Sequence, residues 1–126
     1  MRLKLWPTLL LMLGFLGGSR PLLAHHGNAS YDTSKTIEVS GVVTEYRWAN
    51  PHVYLRVDAK DESGGTAHWV FEGQNAVTQA SAGWTKDMFK PGDKVMIEAT
   101  PAKNGRLIGR FKGRIVINGQ EFKPLG

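Results

Sequence analysis

The sequence predicts an all-β domain with one short helix. Three observations lead there. Residues 52–60 and 66–72 alternate apolar and polar side chains with the two-residue period of half-buried strands. Gly, Pro and Asn clusters punctuate the chain at hairpin-like intervals. A single helix-like stretch, "QNAVTQASAG", falls between the third and fourth strand candidates.

Taken in order, Thr36 to Trp48 are strand formers, and Gly41 marks a break in alternation where a bulge is expected. "ANP" turns the chain, because Pro51 holds Asn50 in an extended or turn conformation. In "HVYLRVDAK", Val53, Leu55 and Val57 face one way and His52, Tyr54, Arg56 and Asp58 the other. "ESGG" connects to "TAHWVFE", where Ala67, Trp69 and Phe71 oppose His68, Val70 and Glu72. Asn75 is suited to cap the helix and Gly83 to stop it. Pro91 and Gly92 turn the chain into the fourth strand, "DKVMIEATPA". "KNGR" is a hairpin turn, and the fifth strand, "GRFKGRIVING", puts Phe111, Ile115 and Ile117 on its inward parity. Three strands, a helix and two strands is the order of a five-stranded Greek-key barrel of the oligonucleotide/oligosaccharide-binding (OB) type. Strand count alone also permits a small sandwich; the lone helix favours the barrel.

Residues 1–24 read as a secretory signal. Arg2 and Lys4 start it, "LWPTLLLMLGFLGG" is its apolar stretch, and Ala24 ends it. The apolar run falls short of the roughly 20 residues of a spanning helix, so no stable membrane span is expected after processing. Removing Arg2, Lys4 and Arg20 leaves 13 of the 16 basic side chains against 11 acidic, so the net charge falls from +5 to +2. Bulk charge thus gives no reason to expect a nucleic-acid partner. The expected organisation is a leader (1–24), an amino-terminal tail (25–35) and one barrel domain (36–126), located in the periplasm or secreted. With no cysteine, the domain must stand on packing alone or on packing plus a metal.

Four histidines occur, at 25, 26, 52 and 68. A cut after Ala24 makes His25 the new terminus, whose α-amine and ring nitrogen chelate together. A third nitrogen completes a site suited to copper, with zinc and nickel as alternatives; His26 is a candidate for it. The other reading is a solvated tail. His52, in "RWANPHVY", sits at the mouth of the first inter-strand loop, flanked by Trp48, beside the usual ligand face of such barrels. About ten residues separate His26 from the first strand and span about 33 Å at roughly 3.3 Å each, enough to fold back along that strand to His52. His68 and Glu72 share an outward parity and are weaker ligand candidates. Trp48, Asn50 and Tyr54 are the candidate contacts for an organic ligand. Arg106, Arg110, Lys112 and Arg114 form a basic stripe, read as a solvated face that guards an edge strand more than as a binding track. No phosphate-cradling loop, nucleophile elbow or paired-acid motif stands out.

"AHH" at the mature start, "WANPH", "WVFE", Gly83–Trp84 and "KPGDKV" resemble a family of small exported bacterial proteins catalogued only as a domain of unknown function. The likeness covers about residues 24–105. Its pattern falls on His25, His26, Trp48, Asn50, Pro51, His52, Trp69, Glu72, Gly83, Trp84, Pro91, Gly92 and Asp93. His68 lies outside the pattern, and Gly27 stands where a serine is more usual. The resemblance implies export and a site built from His25, His26 and His52, but brings no activity with it.

Three functions are therefore open. The first is a periplasmic binding protein holding copper where tail and loop meet. The second is a metal-independent module binding a small molecule, glycan or protein partner. The third, less favoured because no substrate groove is identified, is a copper-dependent oxidative enzyme.

Overall fold

The computed structural model describes residues 30–125. The expected leader, His25 and His26 lie outside the described residues. The remainder folds as β1 (Ile37–Arg47), β2 (Tyr54–Lys60), β3 (Thr66–Glu72), α1 (Ala76–Ser81), β4 (Lys94–Pro101), β5 (Ile108–Ile117) and β6 (Gln120–Phe122). The sheet runs β3-β2-β1-β4-β5-β6, and a parallel pairing of β3 with β5 closes it. Val70, Phe71 and Glu72 there face Ile108, Gly109 and Arg110. This is the closed five-stranded barrel with one helix between β3 and β4 that the strand order predicts.

β1 serves both sides of the closure. Its first half pairs with β4, from Ile37↔Ala99 to Val42↔Lys94, and its second half with β2, from Val42↔Asp58 to Arg47↔Tyr54. The bulge lies between Val43 and Glu45, not at Gly41 as the alternation suggested. Gly41 answers a different need: a Cβ there would come 2.3 Å from the Asp58 carbonyl oxygen. The bending strand presses its backbone against β2, and only glycine allows it.

The alternating side chains of β2 and β3 build the core. Leu55, Val57 and Phe71 are fully buried, and Ile97, Ala99 and Ile115 meet them from β4 and β5; Val53, just before β2, is fully buried as well. Trp69 and Phe111 are half-buried against this core and sandwich its edge: Trp69 stacks on Phe71 at 5.8 Å and Phe111 meets the same ring at 5.8 Å. Each fully buried large apolar side chain contributes about 1.5–3 kcal/mol relative to exposure. Trp84 plugs the helix side, buried against Phe89, Phe111 and Phe122.

α1 starts at Asn75, whose side-chain oxygen accepts from the Thr78 N–H at 2.9 Å. It stops at Gly83, where φ is +86°, a conformation that disfavours a side chain. One element went unanticipated. Asn118 and Gly119, both at positive φ, reverse the chain and lay β6 along the end of β5.

The segment expected to be an amino-terminal tail is docked where it is described. Tyr31 forms an antiparallel bridge with Ala102; the Asp32 N–H donates to the Pro101 carbonyl, and the Lys103 N–H to the Ser30 carbonyl. Tyr31 is 2% exposed, among the most buried side chains of the barrel.

Candidate functional site

Closure of β3 on β5 decides where the site forms. It carries the end of β3 to the start of β5, close to the β4–β5 hairpin on which the Tyr31 backbone lies. Three parts of the chain distant in sequence therefore meet: Tyr31, the 50–54 loop and Glu72.

Glu72 occupies the centre. Its strand parity points it out of the barrel, opposite Tyr54 on β2 and Arg110 on β5, yet it is only 6% exposed. The Tyr31 hydroxyl donates to its Oε2 at 2.5 Å, and the Arg110 guanidinium lies 4.6 Å from the centre of the Tyr31 ring, a cation–π contact. The docked tail thus supplies the cover. Burial, and after it the hydrogen bond and negative charge of Glu72, hold the Tyr31 phenol well above the ordinary tyrosine range. Burial, then the same carboxylate, raises Tyr54 as well.

His52 stands on the other oxygen. Its Nδ1 lies 3.3 Å from Glu72 Oε1 and 3.0 Å from the Gly73 carbonyl oxygen. A backbone carbonyl can only accept, so Nδ1 carries the proton. In the neutral ring Nε2 then holds the lone pair, and it has no hydrogen-bond partner among the described residues. The side chain is 30% exposed, so that nitrogen is open to a ligand. A histidine whose second nitrogen is fixed by a carbonyl or carboxylate is the usual arrangement of a metal-binding imidazole. The Tyr54 ring lies edge-on to the imidazole, 6.2 Å between centres.

The other sequence candidates have defined places. Asn50 Oδ1 accepts from the Ala76 N–H at 3.0 Å, tying the loop to the first turn of α1. Trp48 is half-buried on the core, edge-on to Tyr46 at 6.3 Å. His68 is paired at 2.6 Å with Asp58, and its side chain is 77% exposed. It lies four residues along β3 from the end that carries Glu72. Within the basic stripe, Arg110 covers Tyr31, Lys112 donates to Thr36 Oγ1 at 2.6 Å, and Arg114 pairs with Glu121 at 3.5 Å. Among the described residues no three His, Cys, Asp or Glu side chains gather as a metal site. The described part of the candidate site therefore offers one ligand nitrogen, His52 Nε2.

A cleft of about 150 Å³ adjoins it, lined by Glu45, Arg47, Tyr54, Arg56 and Val70. That is below the roughly 300–1,000 Å³ of small-molecule sites, and Glu45 already bridges Arg47 and Arg56. The larger open hollows, of about 610 and 580 Å³, lie elsewhere, around Asn118–Phe122 and around Gly41.

Sequence reasoning missed Tyr31 and Gly73. A lone large aromatic in an otherwise polar tail was the available signal for Tyr31. Gly73 acts through its carbonyl, which no residue type reveals.

The residues that carry the family resemblance sort clearly on this geometry. Trp69 and Trp84 pack against or within the core, Asn50 ties the loop to α1, and Gly83 and Gly92 adopt positive φ. Asp93 accepts from the Lys90 N–H at 2.8 Å to close its turn. Glu72 and His52 also make local ties, to Tyr31 and to the Gly73 carbonyl, but they leave His52 Nε2 without a partner among the described residues.

A family model described as a family of unknown function (DUF6152) matches residues 14–111. No curated protein matches the chain. Among solved structures, the chain is similar to the mitochondrial single-stranded DNA binding protein Rim1 of S. cerevisiae. That match has 15% identity and a TM-score of 0.49, covering 66% of this chain and 92% of the other. The selenomethionine-labelled form of the same protein gives 14% identity and a TM-score of 0.49 over 72% of this chain and 97% of the other.

Proposed function

We propose a function for this chain, which belongs to the family of unknown function DUF6152: it is a small exported binding protein, periplasmic or secreted, that holds a copper ion between its mature amino terminus and the Asn-Pro-His loop. His25 contributes its α-amine and ring, His52 its Nε2, and His26 assists. The observation that carries this reading is the pairing of His52 with the tail anchor through one carboxylate. His26 lies five residues before Tyr31, about 17 Å at full extension. Tyr31 hydrogen-bonds to Glu72 and His52 lies 3.3 Å from it, so the reach needed is across the barrel mouth and not along β1. Imidazole and amine nitrogens suit copper, and zinc and nickel less selectively.

Export is supported by the charged start, apolar stretch and Ala24 of the leader. Among the described residues no helix is long and apolar enough to cross a membrane. A nucleic-acid track is not part of the proposal, because Arg110, Lys112 and Arg114 are engaged with Tyr31, Thr36 and Glu121. An organic ligand at Tyr54 is disfavoured by the small size of the cleft there.

The test is a Cu(II) titration of the exported, processed protein, whose intact mass should correspond to residues 25–126. Ligand nitrogens bind only when deprotonated, so affinity should fall as pH drops from about 8 to 5. One extra residue ahead of His25 displaces the amine from its ring and should weaken binding sharply. A protein that starts beyond His26, or that binds equally well with the extension, contradicts the proposal.

A further inference from the structure

One carboxylate faces both halves of this site. Glu72 Oε1 lies 3.3 Å from His52 Nδ1, and Oε2 accepts the Tyr31 hydroxyl at 2.5 Å. The carbonyl of the next residue, Gly73, accepts from the same Nδ1 at 3.0 Å. We infer that Glu72 is a positioning residue: its carboxylate beside His52 Nδ1 reinforces the proton that the Gly73 carbonyl accepts from, leaving Nε2 as the lone-pair nitrogen, and its second oxygen holds Tyr31. The inference rests on the reading of His52 as a metal ligand, and it takes Glu72 out of the ligand set.

Three features support it. First, both oxygens are engaged within the protein, so a metal ion at either would compete with Tyr31 or His52. Second, Glu72 has an outward parity but is 6% exposed, because Tyr31 covers it and Arg110 lies over Tyr31. The hydrogen bond from Tyr31 and the contact with His52 therefore operate away from water, where they are stronger and their loss is costlier. Third, the two acceptors on Nδ1 agree with each other. Glutamine at this position could still accept from Tyr31, but it would then turn its amide N–H toward a nitrogen that Gly73 requires to be a donor. Chemistry, not size, is what the site demands of this residue.

The experiment reads the His52 ring directly. Long-range ¹H–¹⁵N correlations of the processed protein without metal, at about pH 8, report which nitrogen is protonated; Cu(II) calorimetry on the same samples reports affinity. Wild type should show a single tautomer with the proton on Nδ1. Glu72→Gln should reduce the Nδ1–H form from the sole to the major tautomer, since Gly73 still accepts from it, and bind Cu(II) about 10–100-fold more weakly, the usual cost of removing an orienting partner. Tyr31→Phe should keep the tautomer and lose affinity by a smaller factor, because only the tether is cut.

A wild-type ring protonated on Nε2 overturns the inference, as does a folded Glu72→Gln protein with unchanged tautomer and affinity. Unchanged affinity in Tyr31→Phe overturns the tethering half. The wild-type spectrum decides the tautomer even if Glu72→Gln fails to fold. Wild type that binds no Cu(II) while Glu72→Gln still changes the tautomer sinks the copper reading and upholds the action of Glu72 on His52. Copper binding indifferent to Glu72→Gln does the reverse.

Discussion

His68 on β3 holds its Nδ1 2.6 Å from Asp58 on β2; His52, just before β2, holds its Nδ1 3.3 Å from Glu72 on β3. By distance the first pair looks the stronger. By surroundings the order reverses. The side chains of His68 and Asp58 are 77% and 37% exposed, and those of His52 and Glu72 are 30% and 8%. An exposed ion pair is worth about 0–1 kcal/mol, because water competes for both partners. Glu72 instead serves Tyr31 and His52 together, and His52 also has the Gly73 carbonyl. Removing one member there strands the others. Between two His–carboxylate pairs on neighbouring parts of the chain, burial and the number of partners single out a site; separation does not.

The largest expected effect comes from the core beneath both pairs. Phe71 is fully buried beside Glu72, in contact with Trp69 and Phe111. Phe71→Ala should cost about 3–5 kcal/mol in urea unfolding. A cost under about 1 kcal/mol would show that β3 does not rest on this side chain.

The comparison itself is tested by truncating each carboxylate. Glu72→Ala leaves the Tyr31 hydroxyl without its acceptor and should cost about 1–3 kcal/mol. Asp58→Ala should change stability by less than about 0.5 kcal/mol. Equal effects on the unfolding midpoint would erase the distinction drawn between the two regions.

A smaller effect should appear in alkali. The Tyr31 pKa is raised on folding, chiefly by burial and then by Glu72. Above about pH 10 an unfolded tyrosine gives up its proton while the folded one keeps it, so the unfolded state gains and stability falls as pH rises. Tyr31→Phe should remove part of that fall between pH 9 and 11. Tyr46 and Tyr54, also raised chiefly by burial, should keep the rest. A pH profile identical to wild type would mean Tyr31 is not held by Glu72 as described.

Much of the barrel was legible because burial writes a period into sequence. Val53, Leu55 and Val57 alternate with polar residues, and each is fully buried; Asn75 and Gly83 mark the helix ends through the chemistry of capping and positive φ. The bulge was misplaced because Gly41 reports a close approach of two backbones, not an extra residue in the strand. β6 was missed because three residues carry too little alternation, although Asn118–Gly119 is a strong hairpin signal.

The site was half legible. His52 could be picked out by its loop and parity. The burial of Glu72 could not, because it depends on Tyr31, 41 residues away in sequence, and contacts of that range follow from barrel closure and not from any local pattern. The same closure shortens the path from tail to loop, which sequence reasoning had laid along β1.

The central claim is that His52, and not His68, completes a copper site with the mature terminus. Calorimetric titration of Cu(II) into three processed proteins tests it most directly: wild type, His52→Ala and His68→Ala. The account predicts that His52→Ala weakens binding by more than about tenfold while His68→Ala leaves it as in wild type. Equal affinity with and without His52 would mean that the tail chelates alone, and the site proposed here would not exist.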